Sequence, residues 1–234
     1  IEHGKYLSAH AEDIWGWGSP AGQRRAERRA HDFIDLSKMN STSKALEIGC
    51  GTGLFTRKVY DATKAHITAI DISQDLLNQE KKRVPHVTFR IDDAMQLSFA
   101  DSTFDVVFGS SILHHLDMDI AIKEIYRVLK PGGKIVFAEP NMLNPQIMIQ
   151  KSIPYIKKLS GDSPDETAII RWKFKKLLTQ AGYRNSKVSP YDFLHPYTPT
   201  PIIWLIDGMG RIAESIPLLK EIAGSVVIYG EKSR

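Results

Sequence analysis

The sequence is poor in cysteine. Among its 234 residues only Cys50 carries a thiol, so no internal disulfide can form and no cysteine-based zinc spacing exists. A lone thiol suits a reducing, cytoplasmic compartment. Long apolar runs are missing as well. No window approaches the roughly 18–20 uninterrupted apolar residues of a membrane-spanning helix, and no leader-like stretch is visible. There is no linker rich in Pro, Gly and Ser and no internal repeat, which points to a single domain over residues 1–234. Nor does charge of one sign dominate. The 31 Lys and Arg residues face 27 Asp and Glu, for a formal net charge of +4, too slight an excess to demand a nucleic-acid partner. The basic strings "RRAERR" (24–29) and "RWKFKK" (171–176) read as solvated helix faces. No metal site is expected.

What is present is the composition of a folded chain, 42% apolar and 25% charged, which excludes a disordered or fibrous protein. Strand-like runs are "KALEI" (44–48), "HITAI" (66–70), "HVTFR" (86–90), "DVVFG" (105–109) and "KIVFA" (134–138). Near-continuous apolar runs suit strands buried on both faces. Helical stretches separate most of them. In "DIAIKEIYRVLKPGG" the residues Ala121, Ile125, Val128 and Leu129 share a stripe, and Pro131, Gly132 and Gly133 end the helix. In "DISQDLLNQEKKR" Asp71 and Ser73 are good caps, and Leu76 and Leu77 face inward. The alternation predicts an α/β fold with a doubly wound, mostly parallel sheet and helices on both faces. Such sheets bind ligands beyond the carboxyl ends of their strands.

Two regions stand outside the alternation. Residues 1–38 precede the first strand and contain a helix over 20–36. Segments 141–170 and 195–223 interrupt the later sheet. The second should hold a helix starting at Pro201 with Thr200 as its cap. On that helix Ile202, Leu205, Ile206, Met209, Ile212, Ala213 and Ile216 share a face, with Asp207, Arg211 and Glu214 opposite. Gly208 and Gly210 weaken it.

The most informative string is "EIGCGTG" (47–53), where Gly49, Gly51 and Gly53 directly follow a strand. Glycine lets the backbone turn sharply and approach a ligand closely, and the helix start beyond it favours electronegative atoms. The next strand ends in "AIDIS", which places Asp71 where an acid can take both hydroxyls of a ribose. A dinucleotide loop reads G-x-G-x-x-G and receives a pyrophosphate. Here the spacing differs, and Glu47 stands two residues before the first glycine. A carboxylate there disfavours phosphate and favours a cation, as S-adenosylmethionine supplies.

At these residues the chain resembles the class I S-adenosylmethionine-dependent methyltransferases of the small-molecule type. The likeness rests on "LEIGCGTG", "AIDIS", "IDDAMQLSFADSTFDVVFGSSILHHL" (91–116) and "YRVLKPGGKIVFAEP" (126–140). The resemblance implies a Rossmann-like sheet of seven strands with helical cap insertions. It also implies a set of cofactor contacts. Gly49, Cys50, Gly51 and Gly53 would surround the methionine part, and Glu47 would sit near its amino group. Asp71 would hold the ribose and Ile72 pack on adenine. Asp93, rather than Asp92, would meet the adenine amino group, with Ala94 and Met95 beside the ring. Gly109 and Ser110 would lie near the methyl group. The family often folds its N-terminal segment over the cofactor as a lid, which would bring in Tyr6, Trp15 and Trp17; simple aromatic packing is the alternative.

Candidate catalytic residues are His114, His115 and His195, since a neutral imidazole can take a proton from an attacking hydroxyl. In this family the first His of an LHH string often only packs beneath the site. Methyl transfer from a sulfonium is an in-line displacement, so a base is needed only for a protonated acceptor. The apolar segments 141–170 and 195–223 would form a substrate cap. They suit a hydrophobic, lipid-like acceptor, with helix 201–219 resting on a membrane surface, or they pack on the domain or in a dimer contact. RNA or protein methylation and a non-catalytic partner subunit are the rival functions, and no N-P-P-Y-like string follows the fourth strand.

Overall fold

The structure, a computed structural model, describes residues 12, 13, 15–159 and 166–234. The expected strands are all present: β1 (Lys44–Ile48), β2 (His66–Asp71), β3 (Thr88–Ile91), β4 (Phe104–Ser110) and β5 (Leu129–Pro140). They pair in parallel, with β1 between β2 and β4. Two further strands, β6 (Tyr183–Tyr191) and β7 (Ser225–Lys232), complete the order β3-β2-β1-β4-β5-β7-β6. β7 runs antiparallel to both neighbours. The chain changes winding direction between β1 and β4, so the switch point lies at the ends of these strands.

Side chains alternate between two apolar layers. Ala45, Val106, Phe108, Val136 and Ala138 point to one, and Leu46, Val107, Ile135 and Phe137 to the other. The first layer is covered by α1 (Pro20–Ser37), α2 (Leu54–Thr63) and α3 (Gln74–Arg83), through residues such as Phe33, Val59 and Leu77. The second is covered by α4 (Met118–Val128) and α7 (Arg171–Gln180), through Ile122, Ile125, Phe174 and Leu178. Ser19 caps α1 by accepting the Gly22 N–H, with Pro20 at the first helical position. Segment 141–170 carries α5 (Pro145–Ser152) and α6 (Pro154–Leu159). Segment 195–223 carries a 3₁₀ turn (Thr200–Ile202), α8 (Ile203–Ser215) and α9 (Pro217–Lys220).

Several expectations need correction. "RRAERR" is not a solvated face. Arg24 pairs with Asp207, Arg25 with Asp192 and Arg28 with Glu214, and Arg29 is 3% exposed. The string welds α1 to α8 and to the end of β6. "RWKFKK" does present Lys173, Lys175 and Lys176 to solvent. Thr200 does not cap α8, whose start at Ile202 has no side-chain cap, and Pro217 begins a separate turn after Ile216. Most of the apolar residues of α8 do not pack on the domain, although Ile203 and Ile206 do, against Ala21 and Leu194. Its polar side does, for the reason just given: Asp207 and Glu214 answer arginines of α1. Ile202, Leu205, Met209, Ile212 and Ile216 face outward. Gly210 sits against Phe193, where a Cβ would come within 3.1 Å. Tyr6 lies outside the described residues. No described helix is long and apolar enough to cross a membrane.

Candidate functional site

The glycine loop leaves β1 at the switch point. Gly49, Gly51 and Gly53 all have positive φ, at +65°, +51° and +65°. Side chains are excluded by space as well as by backbone. A Cβ on Gly49 would lie 2.5 Å from Ile112, and one on Gly51 would lie 3.3 Å from the Trp15 ring. Cys50 is buried in this turn, and its N–H donates to Ile70 O at 3.0 Å, tying the loop to β2. Beneath the loop Glu47 is 1% exposed and accepts the Thr56 hydroxyl of α2. At the end of β2, Asp71 reaches back. Its Oδ2 accepts the Gly51 N–H at 2.9 Å, and its Oδ1 accepts the Ser73 N–H at 2.9 Å. A carboxylate offers about four lone-pair sites, so both oxygens keep capacity for hydroxyl donors. Beside it Ile72 is 79% exposed, an apolar side chain held in the open.

The loop after β3 divides labour between neighbouring acids. Asp92 braces the loop by accepting from the Ser98 hydroxyl at 2.7 Å and from the Asp93 N–H. Asp93 is exposed and accepts the Met95 N–H at 2.8 Å, with Ala94 buried beside it. At the end of β4 a Cβ on Gly109 would lie 2.7 Å from Ile48 O, so the two strand ends are in near contact. Ser110 Oγ accepts from Arg29 Nη1 at 2.8 Å. The Gly51–Asp71 hydrogen bond and the Gly49–Ile112 contact thus bring the glycine loop, Asp71 and the end of β4 to one place. Trp17 does not line it: it packs edge-on against Phe55 with Arg29 over its ring. A depression of about 420 Å³ lined by Ser37, Thr42, Lys130 and Lys134 lies at the opposite, amino-terminal end of the strands.

The turn following β4 holds a charged cluster. His114 Nδ1 lies 2.6 Å from Glu139 Oε2, and its Nε2 lies 3.6 Å from Glu166 Oε1. His115 Nδ1 lies 3.3 Å from Glu166 Oε2, and Lys151 also pairs with Glu166. Burial disfavours the His114 cation, but the bonds to Glu139 and Glu166 outweigh it and raise its pKa to about 9. Burial likewise disfavours charge on Glu166, and His114, His115 and Lys151 overcome it, holding the carboxyl well below its usual range. His114, His115 and Glu166 stand close enough to share a cation, but the Lys151 ammonium already takes a Glu166 oxygen. His195 is elsewhere. Its Nε2 lies 3.2 Å from Gln146 Nε2 of α5, and its Nδ1 accepts the Tyr197 N–H at 3.3 Å. Burial and the nearby Arg25 lower its pKa, which keeps the ring neutral at pH 7. His195 therefore joins segments 141–170 and 195–223.

Sequence reading missed Arg29, Glu139, Lys151 and Glu166. A signal existed for Glu139, a lone acid ending the apolar run "KIVFA". None existed for Lys151 and Glu166, which only the packing of segment 141–170 brings to the histidines.

Residues 46–137 match the family model described as "Methyltransferase domain". A demethylmenaquinone methyltransferase of Staphylococcus haemolyticus is 32% identical over 187 residues, covering 70% of this chain and 77% of that protein. A methyltransferase-like protein of Schizosaccharomyces pombe is 29% identical over 163 residues, covering 69% of this chain and 62% of its own length. The match to a second S. pombe methyltransferase spans 47% of that protein's length, so the chain matches only about half to two thirds of these two relatives. Among solved structures, phosphoethanolamine N-methyltransferase 2 of Haemonchus contortus, in complex with S-adenosyl-L-methionine, shares the fold with a TM-score of 0.68 at 17% identity. The match covers 94% of this chain and 56% of that one. The chain belongs to the S-adenosylmethionine-dependent methyltransferases. The site fits that family's cofactor. The loop is closed to side chains at Gly49 and Gly51, an acid with spare acceptor capacity stands at Asp71, and buried Glu47 opposes a phosphate rather than a cation.

Proposed function

We propose that the chain transfers the methyl group of S-adenosylmethionine to a small hydrophobic acceptor. The observation that carries this reading is the glycine loop at positive φ between buried Glu47 and Asp71, and the Ile-, Leu- and Met-rich composition of segments 141–170 and 195–223 supports a hydrophobic acceptor. The bound cofactor supplies an activated methyl on sulfur: the C–S pair stays with sulfur as a neutral thioether while the acceptor's lone pair forms the new bond.

The protein's part is binding and alignment. Asp71 receives the ribose hydroxyls, Ile72 covers one adenine face, and Asp93 takes the adenine amino group beside Ala94 and Met95. Gly49, Cys50, Gly51 and Gly53 follow the methionine chain, with Glu47 drawing its ammonium. Gly109 and Ser110 border the methyl. Trp15, over Gly51, and the cap segments exclude water. The three histidines take different roles. His114 has both ring nitrogens engaged and stays protonated at neutral pH, so it positions the turn after β4. His195 ties the caps together. His115 is the proton acceptor when the attacking atom carries one: its Nδ1 faces Glu166, which fixes the tautomer and leaves Nε2 as the base.

The hydrophobic acceptor is also supported by the demethylmenaquinone methyltransferases among the relatives. The test uses tritiated-methyl cofactor incubated with the protein and a total lipid extract. Label moving to the organic phase, in a product heavier by one CH₂, is expected. Label that moves only to RNA or protein, or never leaves the cofactor, overturns the reading.

A further inference from the structure

The outer face of the cap presents an amphipathic helix turned inside out. On α8 the inward stripe is Ile203, Asp207, Gly210 and, partly, Glu214. Asp207 is held by Arg24 at 2.6 Å and Glu214 by Arg28 through paired bonds of 2.7 and 2.5 Å. The opposite side is left in water: Trp204 is 73% exposed, Ile212 66% and, on α9, Leu218 85%. Single exposed apolar residues are ordinary; a run of them along one helix face is not. The start of α5 lies beside the end of segment 195–223, because Asn144, which caps α5, donates to Ile222 O at 2.8 Å just past α9. Met148 of α5 and Tyr155 of α6 are also exposed.

We propose that this face docks on an anionic lipid surface. Charge selects the occupant. Residues 145–158 contain no acid; the Lys151 side chain is buried against Glu166, and Lys157 and Lys158 follow it on α6. In 200–222 the acids Asp207, Glu214 and Glu221 are each held by an arginine, from α1 or from Arg171. The cations Lys158 and Lys220 border the apolar residues, with Arg211 beside them, half exposed and 3.5 Å from Asp207. Apolar and aromatic side chains edged by Lys and Arg are the composition of helices that lie in a bilayer interface and favour anionic headgroups. A second copy of the chain is the poorer occupant. A two-fold contact sets a patch against itself, and here it would oppose lysine to lysine. Position agrees as well. Gln146 of α5 touches His195 of the other segment, so the two segments that carry the exposed apolar residues are held together. The docking does not rest on methyl transfer.

Flotation with phosphatidylcholine vesicles, with and without phosphatidylglycerol, tests it. The wild-type chain should float with the anionic vesicles and much less with the neutral ones. The combined variant Trp204→Gln, Ile212→Gln, Leu218→Gln should lose at least about tenfold in partitioning. Its melting temperature and S-adenosylhomocysteine affinity should not change, since all these side chains face solvent. Lys158→Gln with Lys220→Gln should weaken flotation by roughly tenfold in low salt and by less in high salt. The proposal fails if the wild-type chain stays in the aqueous fraction or if the variants float as it does. It fails equally if the chain is a dimer that ignores vesicles and becomes monomeric in the triple variant. Calorimetry with S-adenosylhomocysteine separates this result from the methyltransferase reading, because cofactor binding does not depend on docking.

Discussion

The Glu139 carboxylate lies 2.6 Å from the His114 imidazole with one oxygen, and with the other accepts the N–H groups of Ile112 and Leu113, each at 2.9 Å. One side chain of β5, 0% exposed, thereby fixes the turn that leaves β4. Glu139→Gln keeps the volume but puts an NH₂ group where an acceptor is needed, facing either an imidazolium or two amides. Leaving such a buried group unmatched costs about 3 kcal/mol. Urea denaturation at pH 7 should show a loss of that order with an unchanged slope. A loss below about 1 kcal/mol would mean that water replaces the missing acceptor.

The same cluster sets a pH dependence. The His114 pKa is raised from 6.5 to about 9 in the folded state. Between those values the folded chain holds a proton that the unfolded chain has released. The stabilisation is complete below about pH 6.5 and disappears as pH rises through 9. Glu166 behaves in the opposite sense: its folded pKa lies below 4.5, so its contribution is complete above pH 4.5 and fades on acidification. Melting temperature should fall between pH 7 and 9.5, and His114→Asn should flatten that limb. An equal slope in the variant would assign the titration to another group.

How much of this was legible in advance follows residue by residue. The parallel core was, because β1, β2, β4 and β5 are largely apolar on both faces and the helices carry their own stripes; the edge strand β3 buries only Phe89. β6 was not. "YRNSKVSPY" is an outer strand with alternating exposure, a register shift between Arg184 and Lys187, and Asn185 at φ +52°. The glycine loop and Asp71 were legible because backbone strain and chain order make them local features. The histidine cluster was half legible: His114 and His115 are adjacent, but Glu139 and Glu166 lie 25 or more residues away. Helix α8 was legible as amphipathic and misleading in direction. An apolar face is turned inward only when nothing stronger holds the other side, and Arg24 and Arg28 hold Asp207 and Glu214.

Asp71 and Gly49 separate ligand binding from folding. Asp71→Ala removes both carboxylate oxygens proposed to hold the ribose and frees the Gly51 and Ser73 amides, which sit where water can reach them. S-adenosylhomocysteine should bind at least tenfold more weakly, about 1.4 kcal/mol or more, with a modest loss of stability. Gly49→Ala should act differently. Its φ of +65° and the Ile112 side chain oppose a methyl group, so stability and binding should fall together, by about 1–3 kcal/mol in stability. Calorimetric titration and thermal melts of both variants decide this. Unchanged affinity in Asp71→Ala would remove the ribose role.

Asp32 of α1 is a destabilising charge. Burial raises its pKa from 3.8 to about 6; Arg28 opposes the shift, and Glu214 adds to it. Between those values the folded state binds a proton that the unfolded state has lost. Stability from this group is therefore complete below pH 3.8 and lost as pH rises through 6. At pH 7 the folded chain bears the cost of an ionised, half-buried carboxylate beside Glu214. Asp32→Asn removes that cost while keeping shape, and should stabilise the protein by about 1–2 kcal/mol after allowance for solvent screening. The gain should vanish below pH 3.8, where Asp32 is neutral in both states. A variant that melts lower than wild type at pH 7 would show instead that the carboxylate serves as counter-charge to Arg28 and Arg29, and that α1 needs it to hold the arginines that anchor the cap.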